Sequence, residues 1–558
     1  MMSSLATARA SSAKRWTTKR SKGNRKVPLL LSPLPRRRNI FCSQFFPRLE
    51  NNLYLCTRLC DVTLDVPKTN NYPTTTMKRL PALLLLLTFA LVAEAANGVY
   101  NVRDYGAKGD GKTLDTPAVN AAIADAVKNG GGQVLLPPGT YLCGSIRLKS
   151  HIDLHLAPGC TILASGKREH YDKSEPFEGP EYQDGGHTYF HNSLIWADGE
   201  SHISITGRGM IDGKGLTRKD TERAGNLQGG SIGMGDKAIA LKLCRDVLIR
   251  DITIYRSGHF GIITTGCEWV DVDNVTIDTN RDGFDVDCCK YMTIRGCKIN
   301  TPSDDGLVLK SSYALKKAVP CEHITISDCV ITGYKCGTFL DGTYVPEPVG
   351  WVCGRLKLGT ESNGGYRNIN ISNCTFKYSS GLAFEEVDQG LMENVVVTNI
   401  TMDHSHHYPI YITTGCRNRG PKEVTTPSRG RNLSISHVVA TDCDSLCSII
   451  VTGMTDVPLE NIYLSDIRLE YQGGGTPQML RRDYREQGTN YPEPKFAGPT
   501  PAYGLYARHV KNLRVSNCTF SLLRRDHRPA VVLDDVQDWK IERLDAPVEP
   551  GVQLIHLF

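Results

Sequence analysis

An eight-residue pattern recurs ten times between residues 247 and 546, and it limits what this chain can fold into. Its clearest copies are VLIRDITI, VDVDNVTI, MTIRGCKI, ITISDCVI, INISNCTF and VVVTNITM. Positions 1, 3, 6 and 8 are mostly apolar, whereas position 5 is mostly Asn, Asp or Gly, which tolerate the left-handed backbone of a tight corner. Short alternating segments joined by such corners predict stacked coils of two or three strands each. The repeat therefore predicts an all-β fold, a parallel β-helix.

The N-terminal part of this solenoid is predicted to carry a helix. Thr116 and Pro117 are typical of an N-cap followed by proline at the first helical position, which predicts a helix over about residues 117–128. Such a helix would cover the exposed strand edge of the first coil. Because a solenoid grows by adding coils, residues 96–558 are expected to form a single β-helix domain.

Cysteine use also follows the repeat. Position 6 is cysteine in four copies and Ile, Val or Leu in the other six; the four are Cys297, Cys329, Cys374 and Cys518. This exchange predicts small buried hydrophobic residues rather than disulfides or metal ligands. Cys288 and Cys289 are adjacent and remain unassigned.

The first 95 residues differ from the rest in charge and hydrophobicity. Residues 77–95 read as a secretory signal peptide, with a basic start, an apolar run and an A-x-A cleavage pattern. Residues 1–76, with 14 Lys+Arg against 3 Asp+Glu, are then a leader or mis-called start, the alternative being a transit peptide. We expect a secreted or periplasmic protein without a membrane span. Residues 96–558 carry a net charge of −6, which gives no reason to expect nucleic acid.

Three acids interrupt the pattern at Asp282, Asp304 and Asp305. Since one coil is about 22 residues here, Asp282 and Asp304 should lie on neighbouring coils, with backbones about 4.8 Å apart. Converging carboxyls repel one another, so the pKa of at least one of them should rise. A carboxyl that keeps its proton can donate it to a leaving oxygen while an ionised one activates water, as in glycoside hydrolysis. The alternative is a calcium site that also uses Asp285 and Asp287, and the residue types alone leave the two hypotheses even.

The motifs NRDGFD and SDDGLVLKS resemble the Asn-Thr-Asp and Asp-Asp motifs of glycoside hydrolase family 28, the polygalacturonases and rhamnogalacturonases. VRDYGAKGDGKTLDT and VLLPPGTYL resemble the N-terminal cap of that family. The resemblance implies a right-handed β-helix and inverting hydrolysis of pectin-type polysaccharide or oligosaccharide, with no cofactor or metal. It would make Asp304 the general acid, with Asp282 and Asp305 positioning and deprotonating water. Carboxyl separations of about 6.5–9.5 Å would fit this mechanism.

Two family motifs are altered. Gly354 stands where the resemblance places a histidine, and Ala383 and Glu385 stand where it places two basic residues that contact galacturonate. An acid at position 385 would repel a uronate. We therefore predict that a neutral sugar, such as rhamnose, lies near Glu385.

Further substrate-binding residues are predicted around the acids. The candidates are Lys310, Arg355, Lys357, Glu361, Glu385, Glu386 and Asp388. The three cations suit a uronate carboxylate, and the acids suit sugar hydroxyls. The competing interpretations are surface charge for the cations and a solvated acidic rim for the acids. The insertion at 472–500 is expected to border the groove and could close one end of it.

Two other functions fit the same features. One is a β-helix lyase or epimerase that uses calcium, and the other is a non-catalytic carbohydrate-binding solenoid. The partner expected in every case is a polysaccharide or oligosaccharide, bound by a monomer.

Overall fold

The computed structural model of the protein describes residues 98–214, 216, 237–347, 352–482, 484 and 488–558, except the side chain of residue 495. All of them lie within a unit that spans Thr88–Phe558. The predicted leader (1–76) and signal peptide (77–95) lie outside the described residues.

Strands dominate the described residues. They are β1 (Val99–Asn101), β2 (Asp110–Leu114), β3 (Gly132–Leu136), β4 (Gly139–Cys143), β5 (Ile146–Arg147), β6 (Ile152–Leu156), β7 (Cys160–Ala164), β8 (Ile195–Asp198), β9 (Ser201–Gly207), β10 (Met210–Asp212), β11 (Lys237–Lys242), β12 (Arg245–Arg250), β13 (Thr253–Tyr255), β14 (Phe260–Thr265), β15 (Glu268–Asp273), β16 (Thr276–Asp278), β17 (Asp282–Asp287), β18 (Lys290–Arg295), β19 (Lys298–Asn300), β20 (Leu307–Ser311), β21 (Cys321–Ser327), β22 (Val330–Thr332), β23 (Leu356–Ser362), β24 (Tyr366–Ser372), β25 (Thr375–Ser379), β26 (Leu382–Glu386), β27 (Leu391–Ser405), β28 (Ile410–Thr414), β29 (Arg429–Cys443), β30 (Ile449–Thr452), β31 (Leu459–Tyr471), β32 (Leu505–Leu522), β33 (Val531–Asp545) and β34 (Ile555–Leu557).

These strands stack coil on coil, and each pairs in parallel with the equivalent strand of the next coil. The front sheet contains β5, β8, β11, β14, β17, β20, β23, β26, β28 and β30, followed by the first residues of β32 and β33. Two further sheets complete each coil. The predicted right-handed parallel β-helix is confirmed.

The predicted corners are confirmed at position 5 of the repeat. Asn274 and Asn399 both have positive φ, 54° and 57°. The Asn274 side chain donates to Asp251 at 2.8 Å, and the Asn399 side chain donates to Asn373 at 3.1 Å. Each corner thus accepts the left-handed backbone and bonds to the corner of the coil before it.

The cysteines at position 6 are buried in the main hydrophobic core, as predicted. None of the described cysteines forms a disulfide bond. Cys289 faces the same core, whereas Cys288 has a φ of 57° and is buried outside it.

One α-helix, α1 (Thr116–Lys128), lies over the first coils, close to the predicted position. The predicted N-cap is displaced by one residue. Asp115 precedes the helix, and the Thr116 hydroxyl instead accepts a hydrogen bond from the Gly144 N–H at 2.7 Å. Val119, Ala122, Ile123 and Ala126 bury the inner face of α1. No described helix is long and apolar enough to cross a bilayer.

Short 3₁₀ helices occur in the connections, at Val102–Tyr105, Arg168–His170, Gly185–His187, Pro477–Met479 and Pro494–Phe496. The last two belong to the 472–500 insertion, and Gly185–His187 belongs to the connection between β7 and β8.

The outer face of the front sheet is covered at two places by apolar clusters separate from the main core. The first cluster consists of Phe190, Ala240, Phe260 and Ile263, with Trp196 packed against it. The second consists of Ala383, Tyr408, Tyr411, Ile450, Tyr484, Ala497, Ala502, Tyr506 and Val532. Between them, the outer side chains of β17, β20 and β23 include the charged residues Asp285, Lys310 and Lys357, together with the apolar Val308.

Candidate active site

The three predicted acids meet at one end of β17 and β20. The Gly283 N–H donates to the Asp305 carbonyl at 3.0 Å, so Asp282 and Asp305 lie on adjoining coils. The chain bends before β20, and the Asp304 carboxylate accepts the Asp305 N–H at 3.0 Å. One oxygen of Asp304 and one of Asp305 lie within 4.8 Å of each other. The bend brings the side chains of Asp304 and Asp305 to one patch, whereas a straight strand would point them to opposite faces.

Arg281, Asp282 and Asp304 form what we call the open half of the site. Arg281 Nη1 lies 2.6 Å from Asp304 Oδ2, and Arg281 Nη2 lies 3.9 Å from Asp282 Oδ2. The Arg281 and Asp304 side chains are 27% and 23% exposed, whereas that of Asp282 is 6% exposed. Burial, together with the neighbouring Asp304, raises the pKa of Asp282 to about 7.

Asp305, Arg355, Lys357, Glu385 and Glu493 form the covered half. Arg355 Nε donates to Asp305 Oδ1 at 2.5 Å, and Lys357 Nζ lies 3.5 Å from Asp305 Oδ2. Burial opposes ionisation of Asp305, but Arg355 and Lys357 outweigh it and lower the pKa of this carboxyl below its ordinary value. The pKa values of Asp282 and Asp305 are therefore shifted in opposite directions, although the two residues lie on adjoining coils.

The insertion supplies the cover of this half. Arg355 Nη2 donates to Glu493 Oε1 at 2.7 Å, and the Tyr491 ring lies 5.7 Å from Lys357 Nζ. Arg355 Nη1 also donates to the Tyr408 hydroxyl at 2.6 Å. The described part of 472–500 therefore packs on the predicted groove.

Glu385 is buried beside two cations: Lys357, which lies in β23, and Arg355, which directly precedes that strand. Its carboxylate lies 3.3 Å from Lys357 Nζ and 4.0 Å from Arg355 Nη1. Burial raises the pKa of Glu385 to about 7, although both cations oppose the shift. Ala383, the other altered position, belongs to the second apolar cluster.

A second network of charges runs along the far end of the same strands. Lys310 Nζ lies 3.2 Å from Glu361 Oε2 and 3.6 Å from Asp285 Oδ2. Arg417 forms ion pairs with Glu361 and Asp388. Burial opposes ionisation of Glu361, yet Lys310 and Arg417 hold its pKa well below the usual range. Burial raises the pKa of Asp388 despite Arg417.

The predicted substrate-binding residues are neither surface charge nor a solvated rim. Those seven side chains are all buried: Lys310, Arg355, Lys357, Glu361, Glu385, Glu386 and Asp388. Six of them form the ion pairs described above. Glu386 instead accepts the Gly390 N–H at 2.9 Å, and burial raises its pKa well above the usual range. Both competing interpretations are wrong because the insertion and the neighbouring loops cover these strands.

The five acids of the calcium hypothesis do not share one cage. Asp287 accepts the Ser312 N–H at 2.8 Å and hydroxyl at 2.6 Å, and it faces His187 Nδ1 at 3.3 Å. Within the described part of the chain, a metal-compatible group of three forms only from Asp304, Asp305 and Cys353. A thiol does not suit calcium, which prefers oxygen ligands, and both carboxylates already contact a guanidinium.

The missing histidine has a steric reason. Gly354 has a φ of +53°, and a Cβ there would lie 2.6 Å from the Thr332 carbonyl oxygen. The Gly354 N–H donates to the Asp304 carbonyl at 2.9 Å, which holds the backbone in this place. A side chain at position 354 would require this coil to move.

Several residues of the site escaped the sequence analysis. Arg281 lies within the NRDGFD motif itself, so the sequence alone shows a cation next to a predicted catalytic acid. Glu493 and Tyr491 carried no signal, because they lie about 138 residues from Arg355 in an irregular segment.

Comparison with known proteins finds polygalacturonases among the relatives of this chain. Residues 99–329 match the family model described as rhamnogalacturonase A/epimerase, pectate lyase-like. An exopolygalacturonase from Platanus acerifolia is 22% identical, over 69% of this chain and 93% of its own length. These similarities support the interpretation of the chain as a divergent relative of glycoside hydrolase family 28.

Other relatives match more locally or in fold alone. A probable polygalacturonase from Vitis vinifera is 28% identical over 40% of this chain, and the match spans 47% of that protein. The Family 28 exopolygalacturonase from Yersinia enterocolitica has a TM-score of 0.55 and 17% identity, covering 81% of this chain and 79% of that one. This structural likeness agrees with the β-helix described above.

Proposed function

We propose that this chain is a secreted glycoside hydrolase of family 28 that cleaves glycosidic bonds in pectin-type polysaccharide or oligosaccharide. The observation that carries the proposal is the opposite electrostatic setting of Asp282 and Asp305 beside the partly exposed Asp304. Two carboxyls with pKa values pushed apart supply an acid and a base at one pH.

The reaction proposed is a single displacement with inversion. A carboxylic acid protonates the glycosidic oxygen as its bond to the anomeric carbon breaks, and water attacks that carbon from the opposite face. A carboxylate takes the proton of the water. Asp282, Asp304 and Asp305 are the three groups that we propose for these transfers, and Arg355 and Lys357 lower the pKa of Asp305.

The charges of the site favour a neutral sugar beside the covered half. Lys310, Arg355 and Lys357 each contact a carboxylate of this chain, so their charge is already compensated. Binding a uronate there would require breaking buried ion pairs. We propose that a rhamnose-like sugar occupies this subsite, as it would on a rhamnogalacturonan-derived oligosaccharide.

We also propose that the enzyme acts at chain ends. The two apolar clusters and the insertion cover the outer face of the front sheet on both sides of the acids. A polysaccharide lying along the whole face would have to displace this packing. A terminal sugar needs only the opening at Asp304 and Arg281, where the side chains are partly exposed.

The test is product analysis with the full chain on polygalacturonate and rhamnogalacturonan oligosaccharides, with the anomer followed by NMR. We expect release of one terminal sugar or a short unit, a new reducing end of inverted configuration and no double bond. Asp282→Asn, Asp304→Asn and Asp305→Asn should each lower the rate by about 10²–10⁴-fold.

Asp273→Asn is the matched control, because it removes a partly exposed aspartate paired with Arg295 away from the front sheet. It should leave the rate unchanged. If the chain instead forms an unsaturated, ultraviolet-absorbing product, and chelators abolish its formation, the reaction is that of a lyase and not hydrolysis. Full activity in all three aspartate variants would remove the proposed site.

A further inference from the structure

Glu493 is an acid that the insertion places on a cation of the solenoid. Arg355 Nη2 donates to Glu493 Oε1 at 2.7 Å, and Arg355 Nη1 donates to Glu493 Oε2 at 3.2 Å. Both side chains are buried. Two N–H groups of one guanidinium facing the two oxygens of one carboxylate is the arrangement with which arginine recognises carboxylates in general, including that of a uronic acid.

The same guanidinium reaches the proposed catalytic acids. Arg355 Nε donates to Asp305 Oδ1 at 2.5 Å, and one oxygen of Asp305 lies within 4.8 Å of one oxygen of Asp304. The Glu493 carboxylate therefore lies across a single guanidinium from the acids. A sugar carboxylate on the same edge of Arg355 would lie equally close to them.

The strands do not need Glu493 to balance their own charges. Arg355 and Lys357 already face two acids of the coils, Asp305 and Glu385. Glu493 is a third acid for these two cations. Burial opposes its ionisation, but Arg355 and Lys357 outweigh it and lower the pKa of Glu493. Glu493 in turn adds to the burial that raises the pKa of Glu385.

The local backbone does not use the Glu493 side chain either. Glu493 precedes the short 3₁₀ helix Pro494–Phe496, and its side chain forms no capping hydrogen bond there. Two residues earlier, the Tyr491 ring lies 5.7 Å from Lys357 Nζ and 5.9 Å from the Arg417 guanidinium carbon, and this tyrosine is exposed. The segment therefore forms the boundary between the cations and solvent.

We propose that Glu493 is a specificity-determining residue, whose carboxylate takes the place of a uronic acid carboxylate on Arg355 and so excludes uronates from the subsite beside Asp305. This inference rests on the proposed hydrolase function and assigns the preference for a neutral sugar to one side chain. A neutral sugar leaves the ion pair intact. A uronate would have to displace Glu493, which would then be buried without its cation.

Glu385 supports the same preference from the other side. Both of its carboxyl oxygens are buried, and neither accepts a hydrogen bond from any described residue. Sugar hydroxyls are donors and would satisfy such a group, whereas a uronate carboxylate brings no proton. The covered half thus has an acceptor ready for hydroxyls, while its carboxylate-binding edge is already filled.

The first test compares oligosaccharides that end in rhamnose with oligosaccharides that end in galacturonate. Glu493→Ala removes the internal carboxylate, and we expect it to raise the ratio of kcat/KM for galacturonate over rhamnose by about 10–100-fold. Glu493→Gln keeps the volume of the side chain and should raise the ratio by less. An unchanged ratio in Glu493→Ala, or a wild type that already prefers galacturonate, would overturn the proposal.

The second test does not depend on hydrolysis. Thermal unfolding of the full chain is followed with acetate against chloride at equal ionic strength, and with galacturonate against galactose, which differ only at C6. Acetate and galacturonate should raise the Tm of Glu493→Ala and leave that of the wild type unchanged, because only the variant has a free carboxylate site. Equal responses of the two proteins, or none in the variant, would leave Glu493 a mere anchor of the insertion and overturn the proposal.

Glu393→Ala is the matched control, because it removes a glutamate paired with Arg431 on β27, away from the front sheet. It should keep the wild-type ratio and show no response to galacturonate. If Glu493→Ala does not fold, Glu493→Ser takes its place in both tests. Absence of hydrolysis in the wild type would remove the proposed function, and the Tm shifts would still decide whether Glu493 fills a carboxylate site.

Discussion

The two halves of the site contain the same kind of ion pair in different surroundings. In the open half, Arg281 and Asp304 are 27% and 23% exposed, and in the covered half Arg355 and Asp305 are 3% and 4% exposed. The open half has one cation between two acids, and the covered half has one aspartate between two cations. The neighbours and the cover, and not the residue types, therefore decide whether the pKa of Asp282 or Asp305 is raised or lowered.

This difference has consequences for stability as well. Exposed ion pairs contribute about 0–1 kcal/mol, whereas removing one partner of a buried pair costs about 3–5 kcal/mol. The covered half should thus support the fold, while the open half is available for chemistry.

The largest expected effect comes from breaking the covered pair. Arg355→Met leaves Asp305 and Glu493 buried without their guanidinium, and we expect it to lower the free energy of unfolding by about 3–5 kcal/mol. Arg281→Met, the matched change in the open half, should cost about 0–1 kcal/mol. Denaturant unfolding at neutral pH measures both changes. Equal losses of unfolding free energy would show that the two ion pairs contribute equally to stability, contrary to this prediction.

The pH dependence of stability should differ between Asp282 and its amide variant. Because the folded pKa of Asp282 is raised to about 7, its contribution to stability is present below the unfolded pKa and is lost as pH rises through the folded one. Between about pH 4 and 7 the wild type should lose up to about 4 kcal/mol relative to Asp282→Asn. Parallel stability curves for the two proteins would show that Asp282 is ionised throughout.

Asp305 should show the opposite dependence. Its folded pKa is lowered, so its stabilisation is present above the unfolded pKa and is lost as pH falls toward the lowered folded value. Asp305→Asn should therefore be much less stable than the wild type at neutral pH, and the gap should narrow below about pH 4. Unfolding midpoints measured across this range check the sign, and a gap that widens in acid would contradict the ion pair.

A smaller effect is expected from the insertion. Glu493→Gln removes one anion from Arg355 but leaves Asp305 in place, so we expect a loss of about 1.5–3 kcal/mol, between those of the two arginine variants. Denaturant unfolding gives this value. A loss as small as that of Arg281→Met would mean that the insertion covers the site without anchoring it.

A small effect is also expected at a corner away from the site. Asn432 has a φ of 58°, donates to Asn394 at 3.0 Å and accepts from Asn461 at 2.8 Å. Asn432→Ala should cost about 1–2 kcal/mol from the left-handed backbone, and Asn432→Gly, which tolerates that backbone, should cost less. Equal losses in the two variants would show that the stabilisation comes from the side-chain hydrogen bonds with Asn394 and Asn461 alone.

The repeat predicted the coils because its signals are local. Strand alternation and a corner residue such as Asn274 act within a few positions, and each coil repeats the same hydrogen bonds to its neighbour. The same regular stacking brought Asp282 beside Asp305, so the meeting of the acids could be expected from a spacing of about one coil.

The sequence by itself determined the β-helix, the left-handed corners, the buried cysteines and the coils on which the three acids lie. Only the tertiary structure decided which acid has a raised pKa, which has a lowered one, and which predicted substrate-binding residues form buried ion pairs. The physical reason is that pKa and burial depend on groups distant in the chain. Glu493 reaches Arg355 across 138 residues, and no periodic pattern encodes that contact.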